Sequence, residues 1–156
     1  MPDIEDPRRM FQIFNEIGII AQLSRALFEA RLPEGAGLPH FTLLNHLMRV
    51  RDGQTPLALA RAFQVPKTTM THTLSGAERH GWVDLRPNPR DGRSKTVWLT
   101  LSGRTFRDQA IAALGPDLAD VADSMDGASM AILLEKLTEL RLFLDARRNH
   151  ENGSTG

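Results

Sequence analysis

A chain of 156 residues, 41% hydrophobic and 24% charged, suits one soluble domain, or one compact domain with extensions, and can bury a core. It has no cysteine, which excludes disulfides, thiolate metal sites and thiol redox sensing. Lys plus Arg and Asp plus Glu balance at 19 each, but unevenly along the chain: ten basic residues face four acidic ones between Arg51 and Arg107. Nucleic acid responds to the local field of the surface that meets it, so a neutral chain with a basic middle is compatible with a DNA partner. No stretch approaches the roughly 20 apolar residues that cross a bilayer. The acidic start, Met1 to Pro7, lacks the apolar run of a secretory signal, so a cytoplasmic location without membrane contact is expected.

The first predicted helix runs from about Pro7 to Arg31, with Ile13, Ile17, Ile20, Leu23 and Leu27 at helical spacing, and closes at Pro33–Gly37. Pro39 opens a second, with Phe41, Leu44, Leu47 and Met48 on its apolar face and Asp52-Gly53 as its stop. A short third helix fits Pro56 to Phe63, capped by Thr55. After the turn Gln64-Val65-Pro66, a fourth fits Lys67 to His80, ended by Gly81. Two strands follow, Trp82–Arg86 and Thr96–Thr100, joined by the turn-rich, basic segment Pro87–Lys95. Thr100 caps a fifth helix towards Ala122, in which Pro116 predicts a kink or break. A last helix from about Ala128 to Arg148 carries Leu133, Leu137, Leu140 and Leu144 along one stripe. The polar tail, residues 149–156, is expected to be disordered.

The fourth helix has two unlike sides. With Met70 as reference, Leu74 and Ala77 fall beside it; Thr68, His72, Ser75, Gly76 and Arg79 fall opposite, with Lys67 and Thr69 near the edges. Small, polar and cationic groups of this kind bond to base edges and phosphates, and Gly76 would let a surface press close. An ordinary solvated helix face favours Glu, Lys, Gln or Ala instead of repeated threonines. In the hairpin, Arg90, Arg93 and Lys95 surround a single acid, Asp91. An arginine on such a tip reaches into a minor groove, Asp91 would fix a neighbouring guanidinium, and Gly92 would supply the turn.

Residues 65–71, 78–83, Asp91-Gly92-Arg93 and Val97–Gly103 together resemble the MarR family of bacterial transcription regulators. The spacing from Asp-x-Arg to Leu-Thr-x-x-Gly is the specific part. The resemblance implies a mainly α fold: a winged helix-turn-helix with a β-hairpin wing over 38–103, framed by dimerisation helices over 7–32 and 104–148. It further implies a homodimer with recognition helices in successive major grooves, Arg93 in the minor groove, and often a small organic effector that weakens DNA binding. Independently, the apolar faces of the terminal helices (Ile13, Ile17, Ile20; Leu133, Leu137, Leu140) exceed what a small winged helix covers, which also points to a dimer on a pseudopalindromic operator.

The expected DNA-contacting set is therefore Lys67, Thr68, Thr69, Thr71, His72, Ser75, Arg79, Arg90, Asp91, Arg93 and Lys95. Arg51 and Arg61 are open to two readings, phosphate contacts or solvated charges. An effector pocket is expected where the second and fifth helices meet the dimer helices, lined by Phe14, His40, Phe41 and Asn45. The five histidines have no ligand-like spacing, so neither a metal nor another cofactor is expected. No nucleophile elbow or phosphate loop suggests an enzyme. The alternative is a winged helix that docks a protein, disfavoured because the polar, cationic face lacks aromatic or aliphatic anchors.

Overall fold

The computed structural model describes residues 5–153. Six helices and one hairpin follow in order: α1 (Glu5–Glu29), α2 (Leu38–Arg49), α3 (Pro56–Phe63), α4 (Lys67–Arg79), β1 (Val83–Pro87), β2 (Lys95–Leu99), α5 (Leu101–Ala122) and α6 (Gly127–Gly153). This is the mainly helical winged-helix order expected from the sequence. No helix among the described residues is long and apolar enough to cross a membrane.

The chain divides into two compact units, up to Gly115 and from Pro116. The first holds the core, where Leu43, Leu44 and Leu47 of α2, Leu59 of α3, and Met70, Leu74 and Ala77 of α4 meet Val83, Val97 and Phe106. Leu44 and Leu59 are fully buried, and each such side chain contributes about 2–3 kcal/mol by leaving water. Met48, expected on the apolar face of α2, is instead exposed.

Local chemistry sets the helix ends. Thr55 Oγ1 accepts the Ala58 N–H at 3.2 Å and Pro56 takes the first helical position, so α3 begins as read. The α3–α4 turn passes through Gln64 in a left-handed conformation, φ 52°. Gly81 ends α4 at φ 72°, a backbone shape that glycine adopts without a Cβ penalty. Thr100 caps α5, its hydroxyl accepting from Gly103 N–H and donating to Gly81 O.

The strands pair antiparallel from Val83 opposite Leu99 to Pro87 opposite Lys95. Each is displaced by one residue from its expected range: Thr100 N–H still donates to Trp82 O at 3.1 Å, but Thr100 is taken up as the cap of α5, and the Trp82 ring packs in the core, 4.0 Å from the Phe106 ring centroid. A third element joins them: Val97 N–H donates to Gln54 O and Gly53 N–H to Val97 O, which ties the α2–α3 loop to β2.

Two expectations are corrected at the C-terminal side. Of the kink or break expected at Pro116, the break does not occur: α5 runs as one helix from Leu101 to Ala122. Proline removes one helical hydrogen bond, but Ala112 and Pro116 are both exposed, so water can satisfy the freed carbonyl. In the second unit α6 extends five residues into the stretch expected to be disordered, and 154–156 lie outside the described residues.

Candidate nucleic-acid interface

Helix α4 lies on α3 with its apolar side down, and Val65 N–H closes the intervening turn on Ala60 O at 3.0 Å. That packing fixes which side faces out. Between α4 and the wing opens a concavity of about 610 Å³ lined by Lys67, Thr71, Leu74 and Ser75 on one side and Asn88, Asp91, Arg93, Ser94 and Lys95 on the other. Thr55, Pro56 and Leu57, at the start of α3, form its floor. Lys67, Arg93 and Lys95 are exposed cations, and Asp91 is the one acid of this lining.

Six of the eleven expected residues therefore share one groove. The other five stand elsewhere. Thr68, His72 and Arg79 are exposed on α4 outside the lining. Thr69 turns towards α2, where it lines a smaller cavity with Thr42, Met70 and Thr73. Arg90 lies on the opposite side of the wing, with Arg51 and Trp98.

Three details differ from the sequence reading. Gly76 is buried, and the surface pressed against it is the His40 ring: a Cβ there would run into His40 Nε2 and approach Cε1 to 3.2 Å. The helical wheel placed it outwards because it cannot see that α2 crosses at that point. Asp91 does not fix a guanidinium; its Oδ1 accepts the Arg93 N–H at 3.0 Å, while Asn88 Oδ1 accepts the Arg90 N–H at 3.1 Å. These are side-chain mimics of turns, and they shape the loop backbone from which the arginines project. Gly92 is not in the left-handed region and has open space where a Cβ would stand, so the turn does not require it.

Thr55, Leu57, Leu85, Asn88 and Ser94 belong to the groove but were absent from the expected set. Thr55 had a visible signal, as the cap that starts the first helix of the helix-turn-helix. Leu85 had none, since its place depends on the hairpin's tilt.

The four expected effector residues do not gather. Phe14 is exposed on α1 and Phe41 is buried, its ring 5.2 Å from that of Phe28. Asn45 Oδ1 accepts from Arg107 Nε and Nη2 at 3.1 and 3.0 Å. His40 Nδ1 accepts the Gly37 N–H at 3.1 Å, and its ring stands edge-on to Trp82 and His80. Burial, then the nearby His80, His72 and Arg79, hold the His40 pKa below its usual value. A separate, partly open and mainly apolar concavity lies among Arg25, Leu38, Leu43, Phe63, Val65 and Met70, with a volume of about 220 Å³.

Residues 35–94, which span the helix-turn-helix and most of the wing, match the model of the MarR family. Over this segment the chain is similar to the MarR family, and its mainly helical fold with a two-stranded hairpin matches MarR winged-helix structures. Its MarR-type segment is 34% identical over 64 residues to the multiple antibiotic resistance protein MarR of Escherichia coli K12, covering 41% of this chain and 44% of that protein. The sequence match thus spans under half of that relative's length. The crystal structure of a cysteine-to-serine mutant of Escherichia coli MarR superposes with a TM-score of 0.70 at 25% identity, over 81% of this chain and 93% of that one. That mutant complexed with operator DNA gives 0.68 at 24% identity, over 88% and 98%. The MarR-type likeness therefore extends in shape well beyond the segment alike in sequence.

Proposed function

We propose that this chain is a sequence-specific DNA-binding transcription regulator, acting as a homodimeric repressor on a pseudopalindromic operator. One observation carries this: the exposed side of α4 and the inner side of the wing meet in a single groove that gathers Lys67, Thr71, Ser75, Arg93 and Lys95. A helix with polar outward residues beside a cationic hairpin suits a major groove with its adjoining minor groove. The operator complex of the Escherichia coli relative supports the reading. Lys67, Thr68, Thr71, His72, Ser75 and Arg79 would read or flank the major groove, and Arg90, Arg93 and Lys95 the backbone and minor groove. Asp91 would shape the wing, and Thr69 would stand at the edge.

The dimer rests on uncovered apolar surface. Phe11, Ile20 and Leu23 of α1 are between 58% and 70% exposed, as are Ile132, Leu134 and Phe143 of α6 between 59% and 69%. Surfaces of this kind need a partner, and a second copy would space two recognition helices by one helical turn of DNA. Release by a small organic effector is part of the proposal, with the cavity beneath α4 as its site. At about 220 Å³ it lies below the usual range of ligand pockets, so it suits a small anion or neutral molecule near Arg25.

Selection of bound duplexes from a random pool, followed by binding titrations, tests the reading. Arg93→Ala is expected to weaken binding at least tenfold with fold and dimer intact. Unchanged affinity would remove the wing from the mechanism, and no enrichment of any duplex would end the DNA-binding reading.

A further inference from the structure

We infer that the outer face of the wing is a second phosphate-binding surface, on which Arg51 and Arg90 hold the DNA strand next to the one held in the α4 groove. This rests on the proposed DNA-binding reading and deepens it: it adds Arg51, and it assigns Arg90 to the phosphates of the neighbouring strand and not to the minor groove.

A concavity of about 350 Å³ lies there, lined by Arg51, Asp52 and Gly53, by Ala58, by Pro89 and Arg90, and by Thr96 and Trp98. Thr55 and Asn88 line both this concavity and the α4 groove. The two therefore adjoin, separated by one wall: the start of α3 and the base of the wing. A duplex whose major groove, about 12 Å wide, accepts α4 must carry its next backbone over that wall.

The charge suits phosphate. Arg51 and Arg90 are exposed. Asp52, the acid of this lining, is already engaged: its Oδ1 accepts the Gly53 N–H at 3.1 Å and the Leu99 N–H at 2.9 Å. Arg86 adds a third cation at the rim, its guanidinium carbon 5.0 Å from the Trp98 ring centroid, with Asp84 at 3.8 Å. The tryptophan is held in place. Its indole N–H donates to Thr96 Oγ1 at 2.9 Å, and its ring lies so close to Gly53 that a Cβ there would approach Cζ2 to 2.6 Å. Arg86 thus lies over a fixed apolar floor, and Arg51 and Arg90 stand exposed in the lining around it. Protein interfaces centre on clusters of aliphatic or aromatic anchors, and one tryptophan among arginines does not provide such a cluster. Phosphate contacts carry no sequence information, so this face would add affinity and leave specificity to α4.

The test uses the full chain on a selected duplex and on random-sequence duplex, with affinity measured against NaCl concentration. Arg51→Gln and Arg90→Gln should each lower the slope of log affinity against log salt by about one, weakening both duplexes by the same factor. Arg51→Lys should keep the slope, and Arg8→Gln, a charge removed from α1, should leave it unchanged. Wild-type slopes in both glutamine variants, or an equal loss in Arg8→Gln, would overturn the inference while leaving the α4 groove as the binding site. A wild-type chain that binds no duplex would instead overturn the underlying reading of function.

Discussion

Gly76 and His40 show how much one contact can decide. The ring of His40 is fixed by the Gly37 N–H and by Trp82 and His80, so it cannot yield cheaply to a methyl group on Gly76. Gly76→Ala should destabilise by about 1–3 kcal/mol, as overpacking does. In a His40→Ala background the same change should be nearly neutral, a coupling that denaturant melts of the four proteins would measure. The protonation state of His40 follows from the same geometry. Its Nδ1 accepts a hydrogen bond, so the ring is neutral there, and burial lowers its pKa below the usual 6.5; burial also lowers that of His46, whose Nε2 has no hydrogen-bond partner. The unfolded chain binds protons first as pH falls, so this contribution is complete above about pH 6.5 and is lost as pH drops through the folded values. The thermal midpoint should decline below that pH, and His40→Asn, which can still accept from Gly37, should flatten part of the decline.

At the scale of elements, the helix-turn-helix is held by caps and by one strained turn. Thr55→Ala removes the acceptor for the Ala58 N–H and should cost about 1 kcal/mol in chemical denaturation. Gln64 bears a side chain at φ 52°, so Gln64→Gly should be neutral or stabilise by up to about 1 kcal/mol. The wing depends on Asp91 as a backbone acceptor rather than as a charge. Asp91→Asn should preserve the protection of the Arg93 amide from hydrogen exchange, whereas Asp91→Ala should lose it. Loss in both variants would show that the carboxylate's charge matters after all.

At the scale of the whole molecule, assembly is the main proposal. Leu134→Glu places a charge on the exposed apolar side of α6 and should shift sedimentation from dimer towards monomer. DNA affinity should fall with it, since a monomer offers one recognition helix where a palindrome presents two half-sites. A monomeric wild-type chain would refute the dimer and leave each winged helix's geometry as described.

Element order and most helix limits were legible because they depend on neighbours in the chain. Pro56, Thr55, Gly81 and Thr100 impose their caps and stops on adjacent backbone, and the 3.6-residue period separates Met70, Leu74 and Ala77 from Thr71 and Ser75 without reference to anything distant. The basic hairpin was visible for the same reason. What the order of residues left open was decided by contacts between segments far apart. His40 crosses α4 at Gly76, 36 positions away, and turns an apparent outward notch into a buried seat. Gln54 bridges to Val97 and seats Gly53 against Trp98, which makes a face on the back of the wing that no local pattern announces. Asn45 is joined to Arg107 across 62 residues, a link between α2 and α5 that neither helix's own pattern announces. Periodicity reports which side of an element is apolar. Only the folded chain determines what is pressed against that side, because packing joins residues whose separation in sequence carries no signal.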